Sequence, residues 1–153
     1  MNNFTFYSPT EFVFGRETEN KVGELCKRYG ASRVMIVYGG GSVVRSGLLK
    51  KVEASLAEQG IAFCQLSGVQ PNPVDTKVYE GLELAKHFHP DFLLPVGGGS
   101  TIDTAKAIAV GHYYEGDFWD FYIGKAKPTR ALPVGVVLTI PAAGSEGSGS
   151  EAP

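Results

Sequence analysis

The sequence lacks the features that mark secreted, redox-active and membrane proteins. It has only two cysteines, Cys26 and Cys64, which do not form a CxxC motif and both lie in apolar surroundings. We therefore expect a buried pair of reduced thiols, which is typical of a cytoplasmic protein. The first residues, MNNFTFYSPTEF, lack the basic start and the apolar core of a signal peptide. No apolar run approaches the roughly 20 residues that a membrane-spanning helix needs.

An excess of one charge is also missing, as is a metal-ligand pattern among the histidines. The 14 basic and 16 acidic residues give a formal net charge of −2. Nucleic-acid-binding surfaces usually carry a basic excess, so this balance argues against a nucleic-acid partner. His87, His89 and His112 show no spacing typical of metal ligands, and we expect none of them to bind a metal. The first two fall at a predicted helix C-terminus, where positive charge is favoured.

What the sequence does have is an alternation of strands and helices. The middle strands are continuously apolar, which is typical of parallel strands buried on both faces. We therefore predict an α/β fold, a Rossmann-like and mainly parallel sheet with helices on both faces, in which residues 1–153 form a single nucleotide-binding domain. An N-terminal β element, such as a hairpin, precedes it, and residues 112–130 interrupt the alternation with a short helix near Asp117–Phe121. Predicted helices cover 17–30, 46–60, 74–88 and 101–111, and predicted strands cover 33–38, 61–66, 91–96 and 132–141.

Glycine, at 20 residues, is abundant and clustered at two strand ends. Gly-Gly-Gly-Ser turns follow the strand ending at Tyr38 and the strand ending at Val96, and the small-residue stretch PAAGSEGSGS follows Ile140. Ligands of open parallel sheets bind where strands end and helices begin. Glycine lets backbone N–H groups approach a ligand, and a helix N-terminus attracts anions. The two turns therefore predict a ligand that carries phosphate, such as a pyrophosphate.

These turns also have a simpler interpretation as tight strand-to-helix turns that use glycine for positive φ. Neither is a G-x-G-x-x-G fingerprint, because Val44 and Ile102 occupy the third glycine position, and neither is a Walker A loop. We expect Ser100 to cap the following helix, with Asp103 completing a Ser-x-x-Asp capping arrangement. Asp103 is equally open to a role in a ligand site. Lys106 could reach a phosphate, but a solvated helix lysine is favoured.

The motifs together resemble those of the iron-containing, or group III, alcohol dehydrogenases. The similar stretches are PTEFVFG, YGGGSVVRSGLL, QPNPV, GGGSTIDTAKAIA and LTIPAAGSE, and they are closest to the butanol dehydrogenase and aldehyde reductase branch. The resemblance implies a dehydroquinate-synthase-like N-terminal domain that binds NAD(P)H. It also implies a parent enzyme that interconverts primary alcohols and aldehydes and is a homodimer.

The resemblance also assigns cofactor-binding positions. It implies that the turn after Val96 holds the pyrophosphate, that the turn after Tyr38 surrounds the adenosine ribose, and that hydroxyls after the last strand lie near the phosphates and the nicotinamide. The turn after Tyr38 contains no carboxylate, and Ser42 and Arg45 are close by in sequence, which favours NADP over NAD. The implied cofactor-binding residues are Gly39, Gly40, Ser42, Asn72, Gly98, Gly99, Ser100, Asp103, Thr139 and Ser145.

One part of the family pattern has no counterpart in this sequence. The resemblance implies an iron or zinc site built from one Asp and three His of an all-helical C-terminal domain, and no position here matches them. We therefore expect the chain to be the cofactor half of a longer enzyme and to be inactive alone, without catalytic or metal-binding residues of its own. A stand-alone nucleotide-binding module without catalysis is the alternative. The GGGSTIDTAKAIA form and the Gly-Ser-Glu turn argue against a lyase such as dehydroquinate synthase.

Overall fold

A computed structural model of the chain describes residues 11–14, 21–70 and 75–138. The elements alternate as the sequence predicts, with two short helices in addition to the four long ones. In chain order they are β1 (Glu11–Phe14), α1 (Val22–Arg28), β2 (Arg33–Tyr38), α2 (Gly41–Arg45), α3 (Leu48–Glu58), β3 (Ala62–Leu66), α4 (Asp75–Phe88), β4 (Phe92–Gly97), α5 (Gly99–Gly111), α6 (Trp119–Tyr122) and β5 (Val134–Leu138).

The strands form a five-stranded sheet in the order β1-β5-β4-β2-β3. Every pair of neighbours in it is parallel. The predicted α/β fold with a parallel sheet is therefore confirmed. Strand β4 lies at the centre, between β5 and β2, and is buried along its whole length.

Apart from the exposed Arg33 at the start of β2, β2 and β4 have no charged residue, because each face of the sheet is covered by helices. Val34 and Ile36 of β2 point into a cluster with Val52 and Leu56 of α3. Met35 and Val37, the residues between and after them, belong to a second cluster with Ile108 and its neighbours on α5. Successive side chains of a strand point to opposite faces, so both faces demand apolar residues.

One part of the chain differs from the sequence prediction. Residues 41–45 form the short helix α2, which was not predicted. Residues 11–14 form an edge strand that pairs in parallel with β5. The predicted hairpin partner lies outside the described residues and stays a prediction. The short helix expected in the 112–130 segment is present as α6.

The two thiols are free, as expected, but they are not equally buried. Cys26 is fully buried on α1, whereas Cys64 is only partly buried on the edge strand β3. Burial raises the pKa of Cys26 to about 12 and that of Cys64 to about 11, so both thiols stay protonated at neutral pH. Within the described part of the chain, no helix is both long enough and apolar enough to span a bilayer.

Candidate functional site: two glycine turns at one edge of the sheet

The direction of the connections changes between β2 and β4. From β2 the chain moves outward to β3, and from β3 it returns past β2 to β4 and continues to β5 on the other side. In open α/β sheets such a switch point opens a crevice at the carboxyl ends of the two strands, where ligands bind. Both Gly-Gly-Gly-Ser turns follow these two strands. Because Tyr38 pairs with Val96 in the ladder, the turns begin side by side.

The turn after β4 depends on glycine at its first position. Gly97 has a φ of +148°, and a Cβ at this position would lie 3.0 Å from Oγ1 of Thr101. Residues with side chains rarely adopt this backbone conformation. Gly97 is therefore needed for the turn itself, as the simpler interpretation of the glycines requires.

The next two glycines face open space. A Cβ built on Gly98 or Gly99 meets no atom within 4 Å, and neither residue has a positive φ that would demand glycine. Helix α5 begins at Gly99, and its N-cap residue, Gly98, has no side chain with which to cap it. Backbone N–H groups at an open, uncapped helix start are a suitable environment for an anion. Packing among the described residues therefore gives no reason for glycine at these two positions.

The predicted capping role of Ser100 is wrong. Gly98 takes the N-cap position in an extended conformation, so Ser100 already lies inside the first turn of α5. Its backbone carbonyl accepts a hydrogen bond of 2.9 Å from Oγ1 of Thr104. The Ser-x-x-Asp capping arrangement therefore does not form. The side chain of Asp103 is exposed, one helical turn further on.

Helix α5 is held firmly behind this turn by small residues. Ala105 and Ala109 are both fully buried, which confirms the close packing on the sheet that their spacing suggests. Thr101 and Thr104 are buried as well. The start of α5 is thereby fixed before any ligand arrives, and this reduces the entropic cost of binding.

The turn after β2 is fixed by the loop that follows β3. The N–H of Gly68 donates a 2.7 Å hydrogen bond to the carbonyl of Gly39, and the N–H of Val69 donates one of 3.2 Å to the carbonyl of Tyr38. A Cβ on Gly39 would lie 2.8 Å from the Val69 carbonyl oxygen. Gly40, in contrast, faces open space. Sequence analysis missed Gly68 and Val69, although a glycine just after a strand was a signal that could have found them.

Of the remaining predicted cofactor-binding residues, one is described by the structure and three are not. The backbone of Ser42 lies in α2, beside the open Gly40. Asn72, Thr139 and Ser145 fall outside the described residues, so their cofactor-binding roles stay predictions.

The histidines lie at the opposite end of the sheet, where the strands begin. His87 is in the last turn of α4, and His112 follows the C-terminus of α5. Burial, with His89 and Arg130 nearby, lowers the pKa of His112. Among residues 11–14, 21–70 and 75–138, no group of three or more His, Cys, Asp and Glu side chains is arranged to hold a metal ion.

Comparison with known proteins identifies a single family. The family model for "Iron-containing alcohol dehydrogenase" matches residues 9–150. NADH-dependent butanol dehydrogenase A of Clostridium acetobutylicum is 47% identical over 146 residues, which are 95% of this chain and 37% of that protein. NADPH-dependent aldehyde reductase YqhD of Escherichia coli K12 is 36% identical over 149 residues, which are 95% of this chain and 38% of that protein.

The solved structures agree with the sequence relatives. The crystal structure of NADH-dependent butanol dehydrogenase A from Thermotoga maritima superposes with a TM-score of 0.81 at 49% identity, and it covers 93% of this chain and 36% of that one. The chain thus spans little more than a third of the length of the relatives it matches.

The open position of Gly99 generates a prediction for its replacement. If the start of α5 holds a pyrophosphate, as the sequence predicts, Gly99→Val would place a side chain in its path, and we expect the affinity for NADPH to fall at least about tenfold. The free energy of unfolding should change by less than ~1–2 kcal/mol, within the range of ordinary single substitutions, because a Cβ at this position meets no atom within 4 Å. Titration with NADPH and denaturant unfolding measure the two quantities.

Gly97→Val is the matched control for Gly99→Val, since it makes the same change at the residue with φ of +148°. It should destabilise the fold by about 1–3 kcal/mol, the usual cost of a strained backbone. If Gly99→Val leaves the NADPH affinity unchanged but costs as much stability as Gly97→Val, the glycines serve only the turn.

Proposed function

Since the chain belongs to the iron-containing alcohol dehydrogenase family, we propose that it is the cofactor-binding domain of an NAD(P)H-linked enzyme that interconverts primary alcohols and aldehydes of the butanol type. The observation that carries this proposal is the alignment of the two glycine turns at the carboxyl ends of β2 and β4. Three glycines in these turns, Gly40, Gly98 and Gly99, leave open space where side chains would otherwise stand.

In this proposal the backbone of the chain does most of the binding. The N–H groups at the start of α5, at Gly98, Gly99 and Ser100, hold the pyrophosphate, and the partial positive charge of this 13-residue helix favours the anion. Gly39, Gly40 and Ser42 surround the adenosine ribose. Asp103 lies beside the bound cofactor, on the exposed side of α5. The nicotinamide, when bound, supplies the hydride that converts an aldehyde into an alcohol.

Residues outside the described ranges complete the cofactor site in this proposal. Asn72 follows the loop of Gly68 and Val69, which supports a position close to the adenosine side. Thr139 directly follows β5, the neighbour of β4 in the sheet, and Ser145 lies in the glycine-rich stretch beyond it. The carboxyl ends of parallel strands lie at the same end of a sheet. In this proposal, hydroxyls after β5 therefore reach the ligand from the side of β4 that faces away from β2.

The metal of the parent enzyme, iron or zinc, does not fit the described residues. They include no cluster of metal ligands, and the relatives are much longer than this chain. We therefore place the metal, the substrate and the reacting carbon at residues outside this chain, in a homodimeric parent. The same observation favours a second candidate, a nucleotide-binding module that has no catalytic activity.

The choice between NADP and NAD depends on the turn after β2. Residues 39–47 contain no carboxylate that would repel a 2′-phosphate or accept from the ribose hydroxyls. The names of the relatives specify NADH for the butanol dehydrogenase of C. acetobutylicum and NADPH for the aldehyde reductase of E. coli. We propose NADP as the preferred cofactor because the loop has nothing to exclude it.

The proposal predicts that the 153-residue chain alone does not reduce butanal, with or without added iron or zinc. The expected rate with NADPH equals that of a no-protein control, because no position of the sequence matches the metal ligands that the family resemblance implies. Protein that binds NADPH in the same preparation serves as the control for folding. Measurable turnover of butanal by the purified chain would overturn this assignment.

Direct titration of the chain with NADPH and with NADH tests which cofactor it prefers. We expect the chain to bind NADPH at least as tightly as NADH, because residues 39–47 contain no carboxylate that would repel a 2′-phosphate. A tenfold preference for NADH, equivalent to about 1.4 kcal/mol, would contradict the NADP assignment. Binding of neither dinucleotide would contradict the proposed function as a whole.

A further inference from the structure

Strand β3 forms one edge of the sheet. Among the described residues it pairs with β2 alone, in a parallel register that runs without a bulge from Ala62 to Leu66. The strand is apolar apart from Gln65 and contains neither a charged residue nor a proline. Edge strands of native proteins are usually protected from further pairing by charges, proline, a bulge or a covering segment. The first three of these devices are missing from β3, so the strand itself does nothing to prevent another strand from pairing with it.

The pairing with β2 determines which backbone groups of β3 face outward. The N–H of Ala62 donates a 3.1 Å hydrogen bond to the carbonyl of Ser32, the residue just before β2. Successive residues of a strand direct their N–H and C=O groups to opposite sides, so those of Cys64 also point toward β2. Those of Phe63 and Gln65 point away from it. No backbone hydrogen bond among the described residues uses these outward groups, and each is a strong donor or acceptor that a further strand can satisfy.

The outward groups of β3 are complementary to those of a second copy of the strand. When two β3 strands pair antiparallel about a two-fold axis at Cys64, Phe63 of each copy lies opposite Gln65 of the other. Both residues point outward, so each of these pairs exchanges two hydrogen bonds. Cys64 lies opposite Cys64 of the second copy at a position without hydrogen bonds, where the two Cα atoms are about 4.5 Å apart. The same patch then serves both copies, as a two-fold interface requires.

The charges beside this edge favour the antiparallel arrangement. Helix α3 lies over β3, where the side chain of Gln65 donates a hydrogen bond to Glu53. The helix begins with the exposed Lys50 and Lys51 and ends with the exposed Glu58. The two-fold axis sets the two α3 helices antiparallel, so the basic start of one helix lies at the same end of the interface as the acidic end of the other. Strand β3 itself has no charge that would repel its copy.

We propose that β3 is a pairing edge through which two copies of the chain join their five-stranded sheets into one continuous sheet. The proposal goes beyond cofactor binding and does not depend on it. It gives the homodimer expected of the parent enzyme a defined surface, centred on Cys64.

Sedimentation velocity and oxidation of the 153-residue chain test this pairing. The unmodified chain should sediment as a dimer whose population rises with concentration. Mild oxidation with diamide, which accepts the two electrons and two protons that a pair of thiols releases, should link the two copies through Cys64. The expected Cα separation of about 4.5 Å lies within the range that a disulfide spans. Cys64→Ser should remain dimeric without forming the link, and the buried Cys26 should not react.

A pair of substitutions at Gln65 tests the backbone hydrogen bonds. Gln65→Pro removes one outward N–H from each copy, and proline is tolerated on the open side of an edge strand, so the ladder with β2 stays intact. The Kd of the dimer should rise at least about tenfold, because the interface loses two hydrogen bonds. Gln65→Ala is the matched control. It loses the same side-chain bonds with Tyr38 and Glu53 but keeps the N–H, so the Kd should change by less than about twofold.

Three outcomes decide the proposal. A chain that stays monomeric at every concentration would overturn it and would leave the proposed cofactor function to its own titration. A dimer without a Cys64 cross-link, or one that Gln65→Pro and Gln65→Ala weaken equally, would place the interface elsewhere and overturn it as well. If denaturant unfolding shows that Gln65→Pro does not fold, the cross-link in the unmodified chain and its absence from Cys64→Ser decide.

Discussion

The parallel pairing of β2 with β4 is the constraint on which the rest of the site depends. It joins two strands that are separated in sequence by α2, α3, β3 and α4, and it matches Tyr38 with Val96. Without this register, the two Gly-Gly-Gly-Ser turns would be unrelated loops. With it, the two turns begin side by side at the switch point of the sheet, the place where ligands of open α/β sheets bind. The apolar side chains on both faces of β2 and β4 hold this register, since each central position is buried under a helix.

Within the crevice, the glycines have two distinct tasks. Gly39 and Gly97 are required by the protein itself: one approaches the Val69 carbonyl, and the other has a positive φ. Gly40, Gly98 and Gly99 face open space and are required only if a ligand comes close. This division explains how one short sequence pattern both shapes a turn and leaves room for a phosphate.

The fold was predictable from the sequence wherever one physical signal dominated. Continuously apolar runs predicted the buried parallel strands β2 and β4. The prediction failed where the local structure depends on backbone geometry and not on the type of residue. Gly98 caps α5 in place of Ser100 because the helix begins one residue before Ser100. The loop of Gly68 and Val69 joins the site through backbone hydrogen bonds, which leave little trace in the identities of the residues.

The central claim is that both glycine turns bind a single dinucleotide, and amide hydrogen exchange tests it most directly. Exchange should be followed residue by residue in the chain with and without saturating NADPH. The account predicts that the amides of residues 39–42 and 98–101 become protected together, by about tenfold or more. The amides near His87 and His112, at the end of the sheet where the strands begin, should exchange at the same rate with and without NADPH. Protection at only one of the two turns, or protection centred on the 112–130 segment, would contradict the claim.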